Sequence, residues 1–110
     1  MTSAKLTEDI VLAATELGAR LFRNNSGVAR FTKGGVKHVV PYGVGPVGGG
    51  GSDLIGWTKD GLFLSIEVKF GKDRPRENQL MWIDWVNKGG GRAGIARSVE
   101  DAIRIIKGPE

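Results

Sequence analysis

The stretch "SDLIGWTKDGLFLSIEVKF", residues 52–70, predicts two β-strands joined by a tight turn. "DLIGW" is mostly apolar, "TKDG" has the composition of a turn, and "LFLSIEVKF" alternates between two faces. The apolar face of the second strand comprises Leu62, Leu64, Ile66 and Val68. Its other face is mixed and comprises Phe63, Ser65, Glu67 and Lys69. The pattern therefore predicts a central antiparallel hairpin whose mixed face carries charge.

Two acids and a lysine meet on that face. Counting outward from the turn at Lys59 and Asp60 places Asp53 near Glu67, and Lys69 lies two residues further on. Two close carboxylates repel unless a cation lies between them, and hard oxygen ligands suit Mg²⁺ or Mn²⁺. The set has the parts of a metal-dependent phosphodiesterase, with an ordinary ion pair at a sheet edge as the alternative.

The rest of the chain predicts an α/β fold of order α-β-β-β-β-β-α-β-α, with a mixed β-sheet flanked by helices. The strands outside 52–70 are expected at 19–25, 28–42 as a hairpin with a two-glycine turn, and 92–97. The helices are expected at 6–18, 75–90 and 98–107. The second helix would cross from the central hairpin to the last strand.

Caps and apolar spacing define these helices. Thr7 is expected to cap the first helix and Gly18 to end it, while Ser98 is expected to cap the last. Pro75 suits the first turn of the second helix. Its core face is predicted from four apolar residues, Leu80, Trp82, Ile83 and Val86.

Composition restricts the function. The chain has 110 residues, a net charge of +4, no cysteine and one histidine, so disulfides, cysteine-bound zinc and histidine-rich metal sites are excluded. Nothing in the sequence predicts a signal peptide or membrane span, so the cytoplasm is the expected compartment. No acid lies between Leu17 and Ser52, whereas basic residues recur there. Such segments suit a polyanion such as DNA, or simply form a solvated surface.

The glycine-rich stretch before Asp53 has two interpretations. "GVGPVG", residues 43–48, fits a dinucleotide-binding pattern by its letters, but no helix follows it, so no nucleotide cofactor is expected. The glycines instead allow the backbone to pass close to a phosphate strand. Residues 44–51 are therefore expected to be mobile without DNA. The chain has three tryptophans, Trp57, Trp82 and Trp85, whose alternative roles are stacking on bases, packing in the core or forming a dimer contact.

"SD" and "EVK", with thirteen residues between the two acids, resemble the bipartite motif of the PD-(D/E)XK nuclease superfamily. The segments "LFRNNSG", "SDLIG", "EVKFGKDRPRENQ" and "GGGRAGIARSVEDA" resemble its VRR-NUC branch more closely. The likeness covers nearly the whole chain. It implies one restriction-endonuclease-like domain over 1–110, of the stand-alone phage or bacterial type. Ser52 replaces the proline that the superfamily has before the aspartate, as is common in this branch.

The resemblance also implies roles for residues. Asp53 and Glu67 would bind the metal with the Val68 carbonyl, and Glu16 would add a further ligand, directly or through water. Lys69 and Gln79 would complete the catalytic set. DNA contacts are expected from Arg23 and Asn25 by resemblance, and from other basic side chains by charge: Arg30, Lys33, Lys72, Arg74 and Arg76.

The implied activity is a Mg²⁺- or Mn²⁺-dependent endonuclease that cuts branched DNA such as a four-way (Holliday) junction. It would act as a homodimer in a bacterium or a phage-infected cell. One alternative is a catalytically silent DNA-binding module of the same fold. Another is an interaction protein that docks through "MWIDW", residues 81–85.

Overall fold

The computed structural model describes residues 1–46 and 49–109. Three helices and six strands follow each other in the predicted order. They are α1 (Ser3–Glu16), β1 (Arg20–Arg23), β2 (Gly27–Lys33), β3 (Val36–Tyr42), β4 (Leu54–Trp57), β5 (Phe63–Val68), α2 (Glu77–Lys88), β6 (Arg92–Ala96) and α3 (Val99–Lys107).

Four strands form the main sheet, in the order β1-β4-β5-β6. Strand β4 runs antiparallel to both β1 and β5, whereas β6 runs parallel to β5. A parallel neighbour requires a crossover, and α2 supplies it, as predicted. The mixed sheet flanked by helices is a restriction-endonuclease-like architecture, and the predicted fold class is confirmed.

The sheet is covered differently on its two faces. On one face α1 and α3 enclose the main apolar core, which includes Ile10, Leu54, Leu64, Ile66 and Ile106. On the other face α2 packs on β5 and β6, where Trp82 Nε1 donates a hydrogen bond of 2.9 Å to Ser65 Oγ. Residues 64–67 are consequently all buried, including the polar ones on the mixed face.

The predicted cap of α1 is wrong. The helix starts earlier than expected, because the Thr2 hydroxyl accepts from the Lys5 N–H and caps it. Thr7 lies inside the helix, and its hydroxyl donates to the Ser3 carbonyl over 2.9 Å. The predicted end at Gly18 and the Ser98 cap of α3 are confirmed, since Gly18 has a φ of +80° and Ser98 Oγ accepts from the Asp101 N–H.

The predicted core face of α2 is partly wrong. The helix begins at Glu77, two residues after Pro75, and buries Gln79 and Val86. Leu80 is 48% exposed, because the line of residues that meets the sheet runs through Gln79, Trp82 and Val86. The apolar spacing therefore missed Gln79, a polar residue that is buried on the side of α2 that meets the sheet.

Strands β2 and β3 form a separate hairpin, residues 27–42, which we call the arm. Gly34 and Gly35 both have positive φ, as a primed two-residue turn requires, and this prediction is confirmed. The structure measures 53 × 31 × 23 Å and has a radius of gyration of 15.1 Å. A compact chain of this length would have about 13 Å, so the molecule is elongated by the arm.

No helix in the described part of the chain is long and apolar enough to cross a membrane.

Candidate active site

The β4–β5 register brings the predicted acids together. Leu54 pairs with Ile66, so Asp53 and Glu67 are the next opposed positions. Asp53 Oδ2 accepts a hydrogen bond of 3.2 Å from the Val68 N–H, which holds its carboxylate against β5. Lys69 Nζ lies 3.8 Å from Glu67 Oε1. The two carboxylates and the lysine therefore form one cluster at the carboxyl end of β5.

Glu67 is the buried member of this cluster. It is 3% exposed, and its Oε2 atom is buried without a hydrogen-bond partner. Burial, together with the negative charge of Asp53, raises the pKa of Glu67 to about 7, although Lys69 acts in the opposite direction. A buried carboxylate oxygen that lacks a donor, next to a second carboxylate, is an environment suited to a bound cation.

The donor set fits a hard divalent ion. Asp53 and Glu67 offer carboxylate oxygens, and within the described residues no group of three or more acidic, histidine or cysteine side chains forms a metal cluster. Mg²⁺ is typically bound by one or two carboxylates and completes its shell with waters and substrate phosphate oxygens. The residues present therefore match Mg²⁺ or Mn²⁺, with the Val68 carbonyl available as a further oxygen.

The amino end of α2 lies beside the stretch that leads to Asp53. A Cβ built on Gly50 would come within 2.7–2.8 Å of Asn78, a first-turn residue of the helix. In the same turn, Gln79 Oε1 accepts from the Arg76 N–H over 2.9 Å, and Gln79 is 5% exposed. The free N–H groups and positive dipole end of α2 consequently lie near the route to the carboxylates.

The glycine-rich segment is closely packed at Gly50 and Gly51, just before Ser52 and Asp53. Gly50 is buried against α2, and Gly51 leaves no room for a Cβ beside Val44 and Gly45. This packing argues against the expected mobility at Gly50 and Gly51, whereas a Cβ on Gly49 would meet no neighbour, and Val47 and Gly48 lie outside the described residues. Glycine is required here because backbone meets backbone closely.

Asn24 anchors this segment and was missed in the sequence, where Asn25 was chosen from the same "NN" pair. Its Nδ2 donates to the Val44 and Ser52 carbonyls over 2.6 and 2.9 Å, and its Oδ1 accepts from the Val44 N–H. The Asn24 N–H also donates to the Asp53 carbonyl over 2.7 Å. Asn24 thus holds the backbone on both sides of Ser52. Asn25 is exposed and follows it.

Helix α1 does not bring the expected acid, Glu16, to the carboxylates. A cavity of about 190 Å³ is lined by Asp53, Arg23 and Thr7, and the adjoining groove is lined by Glu8 with Arg23 and Thr7. Glu16 is the last residue of α1, nine positions beyond Thr7, which is about 13 Å along the helix. The α1 residues that line the cavity at Asp53 are Ser3 and Thr7, so Glu16 lies away from it and Glu8 lines only the adjoining groove.

The expected DNA-contacting side chains fall into two groups. One group lies on the loop between β5 and α2 and comprises Lys72, Arg74 and Arg76, all exposed. The other lies on the arm and comprises Arg30 and Lys33. Arg97, which sequence reasoning missed, braces the first loop by donating to the Gly71 and Asp73 carbonyls. Basic charge is thus presented both beside the carboxylates and on the arm.

Comparison with known protein families matches residues 28–100 of the chain to the VRR-NUC domain. The matched range contains all of the arm except Gly27, and it contains the carboxylates, Lys69 and α2. No curated protein and no solved structure matches the chain.

Proposed function

This chain belongs to the VRR-NUC domain family, a nuclease family, and we propose that it is a divalent-metal-dependent endonuclease that hydrolyses DNA phosphodiester bonds. One observation carries the proposal. Asp53, Glu67 and Lys69 converge at the end of β5, and a buried oxygen of Glu67 has no donor. A module that only bound DNA would gain nothing from paired carboxylates facing phosphate.

Each residue has a defined task in this mechanism. Asp53 and Glu67 would bind Mg²⁺ or Mn²⁺ together with the Val68 carbonyl, and the ion when bound supplies a Lewis acid and an acidified water. Lys69 donates a hydrogen bond to the attacking water or to the developing negative charge on phosphate. Gln79, in the first turn of α2, helps to position that water.

The covalent change is a hydrolysis. A water oxygen forms a bond to phosphorus while the bond from phosphorus to the 3′ oxygen breaks. The leaving oxygen takes up a proton, so the products carry a 5′-phosphate and a 3′-hydroxyl. Arg23 lies beside Asp53 and can hold a non-reacting phosphate oxygen. The exposed basic loop contributes further phosphate contacts.

We further propose that the protein acts as a homodimer on branched DNA, with the arm as the dimer contact. Strand pairing places four apolar side chains on one face of the arm, Phe31, Val36, Val40 and Tyr42, and all are at least 46% exposed. A two-stranded hairpin is marginally stable alone in water. Two arms packed on these faces would form a two-fold contact and present two sites to a branched substrate. We also propose that it acts in the cytoplasm of a bacterium or of a phage-infected cell.

The test is cleavage of four-way-junction, flap and linear duplex DNA in Mg²⁺, Mn²⁺ or EDTA. Asp53→Asn and Lys69→Ala are expected to lose product by at least about a hundredfold. Asp60→Asn and Lys59→Ala are matched controls, since they change the same residue types in the turn of the same hairpin. Equal product from wild type and the two site variants would refute the mechanism. Metal-independent binding without any product would support the silent DNA-binding module.

A further inference from the structure

The sheet face that carries the carboxylates is only partly covered. Strand pairing places Phe22 opposite Ile55 and Trp57 opposite Phe63. Asp53 precedes Ile55 by two residues, so the alternation of β4 puts Asp53, Ile55 and Trp57 on one face. Helix α2 covers this face over β5 and β6, but β1 and β4 lie beyond it.

Three aromatic side chains are exposed on this sheet face, two on the uncovered strands and one on β5 beside α2, and we call them the aromatic face: Phe22, Trp57 and Phe63. Phe22 and Trp57 are 53% and 49% exposed, and their ring centroids lie 5.6 Å apart. Phe63 is 37% exposed and packs edge-on against Trp82 of α2. Clustered exposed aromatic rings of this kind mark a binding surface.

Charge and position indicate the occupant. Arg20 pairs directly with Trp57, so a cation borders the rings. The residues of β1 and β4 on this face are Arg20, Phe22, Ile55 and Trp57, none of them acidic, and the acid that precedes them on β4 is Asp53 of the site itself. Trp57 lies four residues along β4 from Asp53, which is about 13 Å. A strand of DNA at the carboxylates would therefore pass directly onto cationic and aromatic side chains.

We propose that the aromatic face binds unpaired nucleobases next to the bond that is cut. This inference rests on the proposed nuclease function and specifies its substrate. Aromatic side chains bordered by basic ones are the usual platform for single-stranded nucleic acid, because every base has a face that can stack. Paired bases are stacked on each other and do not offer that face. The enzyme would accordingly favour a flap, a fork or an opened junction over continuous duplex.

The test measures binding in EDTA, where no cleavage occurs. The probes are a fluorescein-labelled twelve-nucleotide oligothymidine and a labelled blunt duplex. Trp57→Leu and Phe22→Leu are expected to weaken oligothymidine binding about tenfold each, and to change duplex binding less than twofold. Trp85→Leu is the matched control, because Trp85 is 52% exposed on α2, outside the aromatic face. Its binding to both probes is expected to equal that of wild type.

Other results would overturn the inference. Equal losses for both probes would mean that the aromatic face does not select unpaired bases. Absence of saturable oligothymidine binding by wild type would also refute it. A lower molar mass of Trp57→Leu in light scattering, with oligothymidine binding unchanged, would assign the face to a protein contact.

The outcome is separable from that of the nuclease proposal. If wild type cuts no DNA but Trp57→Leu loses oligothymidine binding selectively, the stacking site stands and the nuclease proposal fails. If wild type cuts DNA and Trp57→Leu shows no selective loss, the nuclease proposal stands and the stacking site fails.

Discussion

Replacing Glu67 by glutamine should stabilise the metal-free protein at alkaline pH while it abolishes cleavage. Folding raises the pKa of this buried carboxyl from 4.5 to about 7. The folded state therefore holds a proton that the unfolded state releases. The resulting stabilisation is fully present below pH 4.5 and is lost as the pH rises through 7. Glutamine has nearly the shape of the protonated acid and cannot ionise.

The size of the effect follows from the pKa. A rise from 4.5 to about 7 corresponds to about 3 kcal/mol. Water reaches Asp53 at the mouth of the site, and this screening reduces the expected difference to about 2 kcal/mol. For a domain of this size the melting temperature would rise by about 10 °C. At pH 4.5 the two proteins should differ little.

The assay is thermal and urea unfolding in EDTA at pH 4.5 and pH 8.5. Glu16→Gln is the matched control, because its carboxylate is exposed at the end of α1, and it should not change stability at either pH. Adding Mg²⁺ at pH 8.5 should raise the melting temperature of wild type but not of Glu67→Gln, since only wild type has both carboxylates. A glutamine variant less stable than wild type at pH 8.5, or an equal difference at both pH values, would refute the reasoning.

Three further predictions concern the surroundings of the site. Asn24→Ala should weaken Mn²⁺ binding about tenfold in titration calorimetry, because it frees the backbone beside Ser52. Asn25→Ala should leave Mn²⁺ binding unchanged. Equal Mn²⁺ binding by the two variants would contradict the role of Asn24. Gly50→Ala should destabilise the protein by about 2 kcal/mol in urea unfolding, since a Cβ would overlap Asn78, and wild-type stability would disprove the close packing. Phe31→Asp should halve the molar mass in light scattering if the arms form the dimer contact; an unchanged dimer would place the contact elsewhere.

The local sequence pattern was sufficient to predict the helices and strands and the pairing of Asp53 with Glu67. Alternation in 62–70 and the length of the "TKDG" turn define a hairpin register, and that register alone puts Asp53 opposite Glu67. The predictions were wrong where packing against a distant segment of the chain decides which side chains are buried. The core face of α2 was misassigned at Leu80 because the direction in which the helix meets the sheet is not written in its apolar spacing.

The same limit applies around the site. Asn24 forms hydrogen bonds with Val44 and Ser52, which lie 20 and 28 residues away. The local sequence does not tell which of the adjacent asparagines, Asn24 or Asn25, makes such contacts. Helix α1 carries Glu8 and Asp9 in its middle and Glu16 at its end, and only its packing against the sheet places Glu8, rather than Glu16, in the groove with Arg23.

The sequence by itself determined the order of elements, the hairpin that joins Asp53 to Glu67 and Lys69, and the likeness to the VRR-NUC family. These follow from periods of two and 3.6 residues and from short spacings, which act over a few neighbouring positions. Tertiary structure alone decided that Glu67 is buried while Phe22 and Trp57 are exposed, and that Gly50 and Gly51 are closely packed. Burial depends on which element covers which part of a face, and that is settled only when distant segments of the chain pack together.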